Sequence, residues 1–179
     1  MRAARRDDVP EIARIQMETW RTAYARFVPA SVLDALSVER AVAAWGAAVE
    51  APPSAAHRVL VATEQERTVG FVATGPSAEE DGEAGDAAIA ALLVEPRWGR
   101  RGHGSRLLAA TVDHLRADGM TRLVAWVPDG DRASAAFYSS AGWEWDGTAR
   151  TLEADGGTVR ETRWHASLAE TDTEAGVTG

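Results

Sequence analysis

"VEPRWGRRGHGSRLL", residues 94–108, joins the end of an apolar strand to a helix with an apolar face. Three glycines and three arginines lie between the strand and the helix. A helix begins with backbone N–H groups that have no partner inside the helix, and with the positive end of its dipole. The stretch therefore predicts a binding site for an anionic group such as phosphate.

The order of the glycines separates this loop from other nucleotide-binding loops. Gly99, Gly102 and Gly104 have the spacing G-x-x-G-x-G, whereas an NAD-binding fold uses G-x-G-x-x-G. Asp129 stands at a distance that could serve a ribose, so an NAD-binding domain stays open as an alternative. The chain contains no lysine, which excludes a P-loop, a protein kinase and an enzyme that holds pyridoxal phosphate as a Schiff base.

Composition limits the class of protein and its partners. With 179 residues, of which 45% are hydrophobic, the chain is long enough for one domain with a well-developed core. Its formal net charge of -8 predicts no nucleic-acid partner and no anionic membrane partner, so an anion site would have to be local. The absence of cysteine excludes disulfides, thiolate metal sites and a cysteine nucleophile, and we expect no metal. The charged N-terminus lacks the apolar segment of a signal peptide, which predicts a cytoplasmic protein.

Apolar periodicity predicts the element order β α α β β β α β α β β. A second helical stretch over residues 31–50 has Ser31 or Ser37 as candidate caps for two segments. Residues 75–86 are acidic and rich in glycine, and we interpret them as a solvated hairpin tip. The first helix covers residues 7–27, and at about 100° per residue one apolar face holds Ile12, Ala13, Met17, Trp20, Ala23 and Tyr24.

A second block, "DRASAAFYSSAGW" at residues 131–143, adds to the evidence of the glycine loop. The loop follows a strand that ends with Val94 and Pro96, and Gly102 and Gly104 match the signature Q/R-x-x-G-x-G/A. In both blocks, and over about residues 2–168, the chain resembles the GCN5-related N-acetyltransferase (GNAT) family. The second block is similar to the family's N-x-x-A-x-x-F-Y-x-x-x-G-F motif at Asp131, Ser134, Phe137, Tyr138, Gly142 and Trp143.

Four positions depart from the family pattern. Gly99 stands at the Q/R position, and Arg100 follows it where glycine is frequent. Asp131 replaces the asparagine of the second block, and Ala88 occupies a frequent glutamate site on the fourth strand. The last departure leaves the role of general base open, with Asp86, Glu18 and Glu95 as candidates.

The resemblance implies an α/β (α+β) fold, a mixed central β-sheet of six to seven strands with about four helices, splayed between strands 4 and 5. It implies a single domain over residues 1–168, followed by a disordered tail at 169–179. The implied activity is transfer of the acetyl group of acetyl-CoA to a primary amine of a small molecule or peptide by direct attack. A non-catalytic acyl-CoA sensor or scaffold is the alternative, and a homodimer is a family-level expectation.

The resemblance also assigns candidate site residues. Tyr138 would protonate the leaving thiolate, and a main-chain N–H near Val94 would stabilise the oxyanion. Trp20 and Tyr24 would line the acceptor site, while a packing role is favoured for the His103 side chain. The implied residues for binding acetyl-CoA are Leu92, Leu93, Val94, Gly99, Arg100, Arg101, Gly102, His103, Gly104, Ser105, Asp131, Ser134 and Tyr138.

Overall fold

The structure is a computed structural model, and it describes residues 1–79, 81–154 and 156–169. Apart from Ala169, the predicted tail at 169–179 lies outside the described residues. The strands are β1 (Arg2–Ala3), β2 (Arg58–Glu64), β3 (Arg67–Pro76), β4 (Asp86–Val94), β5 (Arg122–Pro128), β6 (Glu144–Ala154) and β7 (Gly157–Ser167). The helices are α1 (Val9–Thr22), α2 (Ala30–Asp34), α3 (Val38–Glu50), α4 (His103–Ala117) and α5 (Arg132–Ser140).

The seven strands form one sheet in the order β1-β2-β3-β4-β5-β7-β6. Neighbouring strands in the sheet are antiparallel, except β4 and β5, which run parallel and are joined by α4. The predicted mixed sheet of six to seven strands is therefore confirmed. The NAD-binding alternative needs a run of consecutive parallel strands, and this topology does not have one in the described part of the chain.

The helices number five in the described residues, one more than the resemblance implied. The reason is a cap within the second helical stretch. Ser37 has extended backbone angles, and its hydroxyl accepts a hydrogen bond from the Arg40 N–H, which starts α3 as a separate helix. No described helix has the length and apolar content that a membrane span requires.

Both faces of the sheet are covered. On one face α4 and α5 pack on the sheet through a cluster that includes Leu107, Leu123 and Val72. On the other face α1 and α3 pack through a cluster that includes Ile12 and Phe71. Of the face predicted for α1, Ile12, Ala13 and Met17 are buried and Trp20 and Tyr24 are partly buried; Ala23 is exposed because α1 ends at Thr22.

The sheet opens between β4 and β5, as predicted. The two strands pair only from Asp86 opposite Arg122 to Ile89 opposite Ala125. At this point the register between β3 and β4 shifts, and Ala90 has no partner on β3. An extra residue of this kind bends its strand, so β4 turns away from β5 and residues 90–94 are left with an unpaired edge.

Candidate active site

A cleft of about 710 Å³ occupies the opening between β4 and β5. The C-terminal part of α1 and the start of α2 form one wall, and the β6–β7 hairpin forms another. The start of α4 closes one end of the cleft. The lining residues of this end lie within residues 92–105, and we call it the donor end. The opposite end, which we call the acceptor end, is lined by Tyr24, Val28, Val32, Trp126, Leu152, Glu153, Val159 and Glu161.

The backbone of β4 supplies hydrogen-bonding groups to the donor end. The Glu95 N–H donates to the Val69 carbonyl at 2.9 Å, which marks a hydrogen-bonded pair in the β3–β4 register. Because such pairs alternate along antiparallel strands, Leu93 directs its N–H and C=O to β3. Leu92 and Val94 direct theirs to the opposite side, where β5 has diverged. An extended polar chain can pair with this edge in the way a strand would.

The start of α4 supplies a group of free N–H donors. The first hydrogen bond of the helix type runs from the Arg106 N–H to the Gly102 carbonyl at 3.0 Å. The N–H groups of His103, Gly104 and Ser105 therefore have no partner within the helix, and all three residues line the cleft. Gly102 holds the turn before the helix with φ 78°, a conformation that favours glycine.

Gly104 brings the helix start close to its neighbours. A Cβ on Gly104 would lie 3.3 Å from Cε2 of Phe137 and 3.8 Å from Cγ2 of Val94. The absence of a side chain thus lets α4 begin against α5 and the end of β4, beside the free backbone edge. The donor end combines this edge with a helix N-terminus, a combination suited to an extended chain that ends in phosphate.

The three arginines of the loop have three different surroundings. Arg97 binds the carboxylate of Glu95, which is only 2% exposed. Arg101 stacks over the ring of Trp98, 4.8 Å from its centroid. Arg100 lines the cleft, and its backbone has φ 56°, which is costly for a residue with a side chain. Of the three, Arg100 is the one that belongs to the cleft lining at the donor end.

His103 is a buried residue whose side chain belongs to the packing under the loop. Its Nδ1 lies 3.0 Å from Nη2 of Arg106, and its Nε2 lies 3.6 Å from Glu64. Burial and the nearby Arg106 lower the pKa of His103, so the ring is neutral and Nδ1 accepts from the guanidinium. Its side chain therefore carries no charge to the site, while its backbone N–H lies at the start of α4.

Tyr138 borders the cleft from α5 and is 7% exposed. Its ring packs against Phe137 and Trp143, with centroid distances of 5.2 Å and 4.7 Å. Burial raises the pKa of Tyr138 well above the ordinary value, and the nearby Tyr24 acts in the same direction. The hydroxyl therefore stays protonated at neutral pH, which is the state a proton donor needs.

Asp131 and Ser134, both predicted to bind acetyl-CoA, form the start of α5. One carboxylate oxygen of Asp131 accepts from the N–H groups of Ala133 and Ser134 at 3.2 Å each, and the other accepts from the Ser134 hydroxyl at 2.6 Å. Both oxygens are therefore occupied by the helix cap. Ser134 also hydrogen-bonds to Tyr24 and lines the cleft. The acidic residue at this position keeps the capping function of an asparagine.

The two aromatic residues predicted for the acceptor site lie on α1 and just beyond its end. Trp20 and Tyr24 line the cleft and meet edge to face with a centroid distance of 6.5 Å. Burial raises the pKa of Tyr24, and the carboxylates of Asp131 and Glu161 add to that rise. The carboxylate of Glu161, on β7, is therefore close enough to the Tyr24 hydroxyl to raise its pKa.

The candidate bases from the sequence all lie in ion pairs outside the cleft lining. Asp86 is 5% exposed and pairs with Arg122 at 3.2 Å. Glu18 pairs with Arg14 at 2.7 Å, and Glu95 accepts from the same guanidinium at 2.9 Å. Each of the three carboxylates is thus engaged by a guanidinium, and none of the three residues lines the cleft.

Sequence reasoning missed two acidic residues of the cleft lining, Glu153 on β6 and Glu161 on β7. Glu161 shares one face of the β6–β7 hairpin with Leu152 and Val159, whereas the side chain of Glu153 alternates to the other face. The alternation of a strand places Val159, Glu161 and Arg163 on one face of β7, and that signal was present in the sequence. Which face meets the cleft depends on the pairing of β7 between β5 and β6, which no local pattern specifies.

Residues 81–84 of the loop predicted to be solvated are exposed, but two acidic side chains of the loop contact the sheet. Glu79 accepts a hydrogen bond from Nε1 of Trp126 at 2.7 Å. Asp81 accepts two hydrogen bonds of 2.6 Å from Arg163, whose side chain is 4% exposed. The loop is thereby fixed behind the acceptor end by charge-assisted contacts between residues far apart in sequence.

Comparison with known proteins agrees with this geometry. The chain is 29% identical over 142 residues to the uncharacterized N-acetyltransferase YuaI of Bacillus subtilis (strain 168), which covers 78% of this chain and 77% of that protein. The solved ribosomal-protein-alanine N-acetyltransferase from Brucella melitensis has a TM-score of 0.74 at 21% identity, over 93% of this chain and 98% of that one.

YncA from Salmonella typhimurium, solved with its cofactor acetyl-CoA, has a TM-score of 0.73 at 21% identity, over 94% of this chain and 93% of that one. Likeness at such low identity shows a shared fold. The family evidence comes from the sequence profile, since the profile described as the acetyltransferase (GNAT) family matches residues 11–143. By that match over most of its length, the chain belongs to the acetyltransferase (GNAT) family.

Proposed function

We propose that the protein is an N-acetyltransferase that transfers the acetyl group of acetyl-CoA to a primary amine of a small molecule or peptide. The observation that carries this proposal is the free backbone edge at Leu92 and Val94, which lies beside the free N–H groups at the start of α4. A cleft with an extended hydrogen-bonding edge and a phosphate-binding helix start suits a long, polar, phosphorylated thioester.

The donor end fits acetyl-CoA by the chemistry of its groups. The N–H groups at residues 103–105 and the Arg100 guanidinium would hold the pyrophosphate, and the β4 edge would hold the amide-containing arm. The co-substrate supplies an acetyl thioester: the amine nitrogen bonds to the carbonyl carbon, the carbon–sulfur bond breaks, and one proton leaves nitrogen while sulfur takes one up.

Two groups of the chain would assist this exchange. The Val94 N–H points to the open side of β4, where it can donate to an oxygen on which negative charge develops. The protonated hydroxyl of Tyr138 borders the same cleft and can supply the proton that the sulfur requires.

A non-catalytic acyl-CoA sensor is the second candidate function. It is favoured by Ala88, which stands where a glutamate is frequent, and by the ion pairs that hold Asp86, Glu18 and Glu95. Such a protein would bind acetyl-CoA through the same donor end without turnover.

One pair of measurements separates these functions. Isothermal titration with acetyl-CoA tests the donor end, and release of free CoA over a panel of primary amines tests catalysis. We expect binding together with amine-dependent CoA release. Binding without release for every amine would favour the sensor, and no binding by the folded protein would remove both candidates.

A further inference from the structure

The acceptor end of the cleft differs in chemistry from the donor end, and the difference indicates a class of acceptor. We infer that the acceptor is a small primary amine carried on an apolar, aromatic or alkyl body, with no carboxylate near the amine. This inference rests on the proposed function and narrows it to one substrate class.

The walls of the acceptor end are apolar. They consist of side chains from three separate segments: Val28 and Val32 around the start of α2, Leu152 on β6, and Val159 on β7, together with the rings of Tyr24 and Trp126. Leu152 lines the cleft and is 42% exposed, so its side chain is accessible to a ligand. Walls of this kind stabilise an apolar substrate body and leave the hydroxyl groups of a sugar or polyol unpaired.

Glu161 offers a carboxylate oxygen to this apolar space. Arg150 contacts one oxygen of Glu161 twice, through Nε at 2.8 Å and through Nη2 at 2.7 Å, and both contacts go to Oε2. Oε1 has no hydrogen-bond partner among the described residues. The side chain is 15% exposed and lines the cleft. A half-buried oxygen that is free on one side of an ion pair is suited to accept a hydrogen bond from an ammonium or amine group.

The acceptor end has no cation among its described lining residues. Arg150 and Arg163, which lie behind it, are held in ion pairs and contact the ring of Trp126. Arg100, the arginine that lines the cleft, and the neutral ring of His103 are at the donor end. The carboxylate of Glu161 lies on the face of the β6–β7 hairpin that carries Leu152 and Val159.

The Glu161 carboxylate selects between amines that differ by one carboxylate. An ammonium is attracted to Glu161, whereas the carboxylate of an α-amino acid would be brought against like charge, with no guanidinium among the described residues of the acceptor end to bind it. A peptide N-terminus lacks that carboxylate, but its following N–H and C=O groups would meet apolar walls. The observations therefore favour a small apolar amine over both.

The test compares matched substrates with saturating acetyl-CoA. Phenethylamine and L-phenylalanine share one body and differ by the carboxylate, ethanolamine keeps the amine without the apolar body, and a hexapeptide beginning with alanine represents the peptide class. We expect kcat/KM for phenethylamine to exceed that for each of the other three by about 100-fold, since like-charge contacts and unpaired polar groups carry penalties of this order.

One variant assigns the selectivity to a residue. In Glu161→Gln we expect the preference for phenethylamine over L-phenylalanine to shrink by about 10-fold, through KM for the amine. Glu144→Gln, on β6 outside the cleft lining, removes the same charge and should leave the ratio unchanged. Because a purely structural role of Glu161 would lower activity with both substrates alike, the ratio separates the two roles. The comparison of substrates in the parent protein covers the case of a poorly folded Glu161 variant.

The result that would overturn the inference is distinct from failure of the proposed function. A preference for L-phenylalanine, ethanolamine or the peptide, no reaction with phenethylamine, or an unchanged ratio in a folded Glu161→Gln variant would reject this acceptor class while acetyl-CoA binding still holds. Loss of acetyl-CoA binding in the parent protein would instead reject the proposed function itself.

Discussion

The two ends of the cleft are built in different ways. The donor end comes from one continuous segment, residues 92–105, and it presents backbone N–H and C=O groups and one arginine. The acceptor end comes from the region after α1, from β5 and from the β6–β7 hairpin, and it presents side chains. A site made of backbone within one segment leaves a glycine pattern in the sequence, whereas a site made of side chains from distant strands leaves none.

Their electrostatics differ as well. The donor end carries the positive end of the α4 dipole and Arg100, which suits an anion. The acceptor end carries the Glu161 carboxylate, which suits a cation. Variants at one end should therefore change one substrate and leave the other unaffected.

The largest expected effect is at the junction of the two ends. Tyr138→Phe should lower kcat about 100-fold, because a positioned general acid contributes at least that order, while the acetyl-CoA dissociation constant stays within about 2-fold. Steady-state kinetics and isothermal titration measure the two quantities. Tyr24→Phe, at the only other tyrosine of the chain, should change the amine KM more than kcat. Equal kcat in Tyr138→Phe and the parent would remove Tyr138 from the reaction.

A second variant tests the backbone nature of the donor end. Gly104→Val places a branched side chain where a Cβ already comes within 3.3 Å of Phe137, so α4 must shift away from β4. We expect acetyl-CoA to bind about 30-fold more weakly, since the free N–H groups move from their positions. Gly46→Val on α3 is the matched control, because nothing lies within 4 Å of a Cβ there. Equal affinities in both variants would contradict a site made of the α4 start.

A third variant separates charge from backbone strain in the loop. Arg100→Gly should weaken acetyl-CoA binding about 5-fold by loss of one cation. The free energy of unfolding should not fall, because glycine relieves the strain of φ 56° at this position. Arg101→Gly is the control: it removes the contact over Trp98 and should lower the melting temperature with a smaller effect on affinity. If Arg100→Gly lowered the free energy of unfolding more than Arg101→Gly does, the backbone at Arg100 would not be strained.

The last prediction concerns the pH profile of kcat, in which we expect no change. Burial raises the pKa of Tyr138 above the ordinary value of about 10, so its hydroxyl stays protonated below that pH. Its favourable contribution to folding is complete below pH of about 10 and is lost as the pH rises through the native pKa. We expect no decline of kcat between pH of about 7.5 and 9.5. A decline in that range that disappears in Tyr138→Phe would mean that the native pKa is lowered.

The sequence predicted most features of the donor end and few features of the acceptor end. The glycine loop, the buried strand before it and the block at 131–143 predicted the splayed sheet. Asp131 was predicted to contact the cofactor, and the structure shows both its oxygens in the α5 cap. Glu161 escaped notice because its neighbours in sequence are ordinary strand residues, and Trp126, Arg150 and Tyr24 approach it only after folding.

The sequence alone determined the αβ order, the apolar β4 strand and the glycines that let α4 begin against it, because local backbone geometry depends on nearby residues. Tertiary structure decided where β4 parts from β5, which arginines remain free and which carboxylates meet the acceptor. Those outcomes depend on strand register and on ion pairs between residues up to 82 positions apart, such as Asp81 with Arg163, and no local pattern records them.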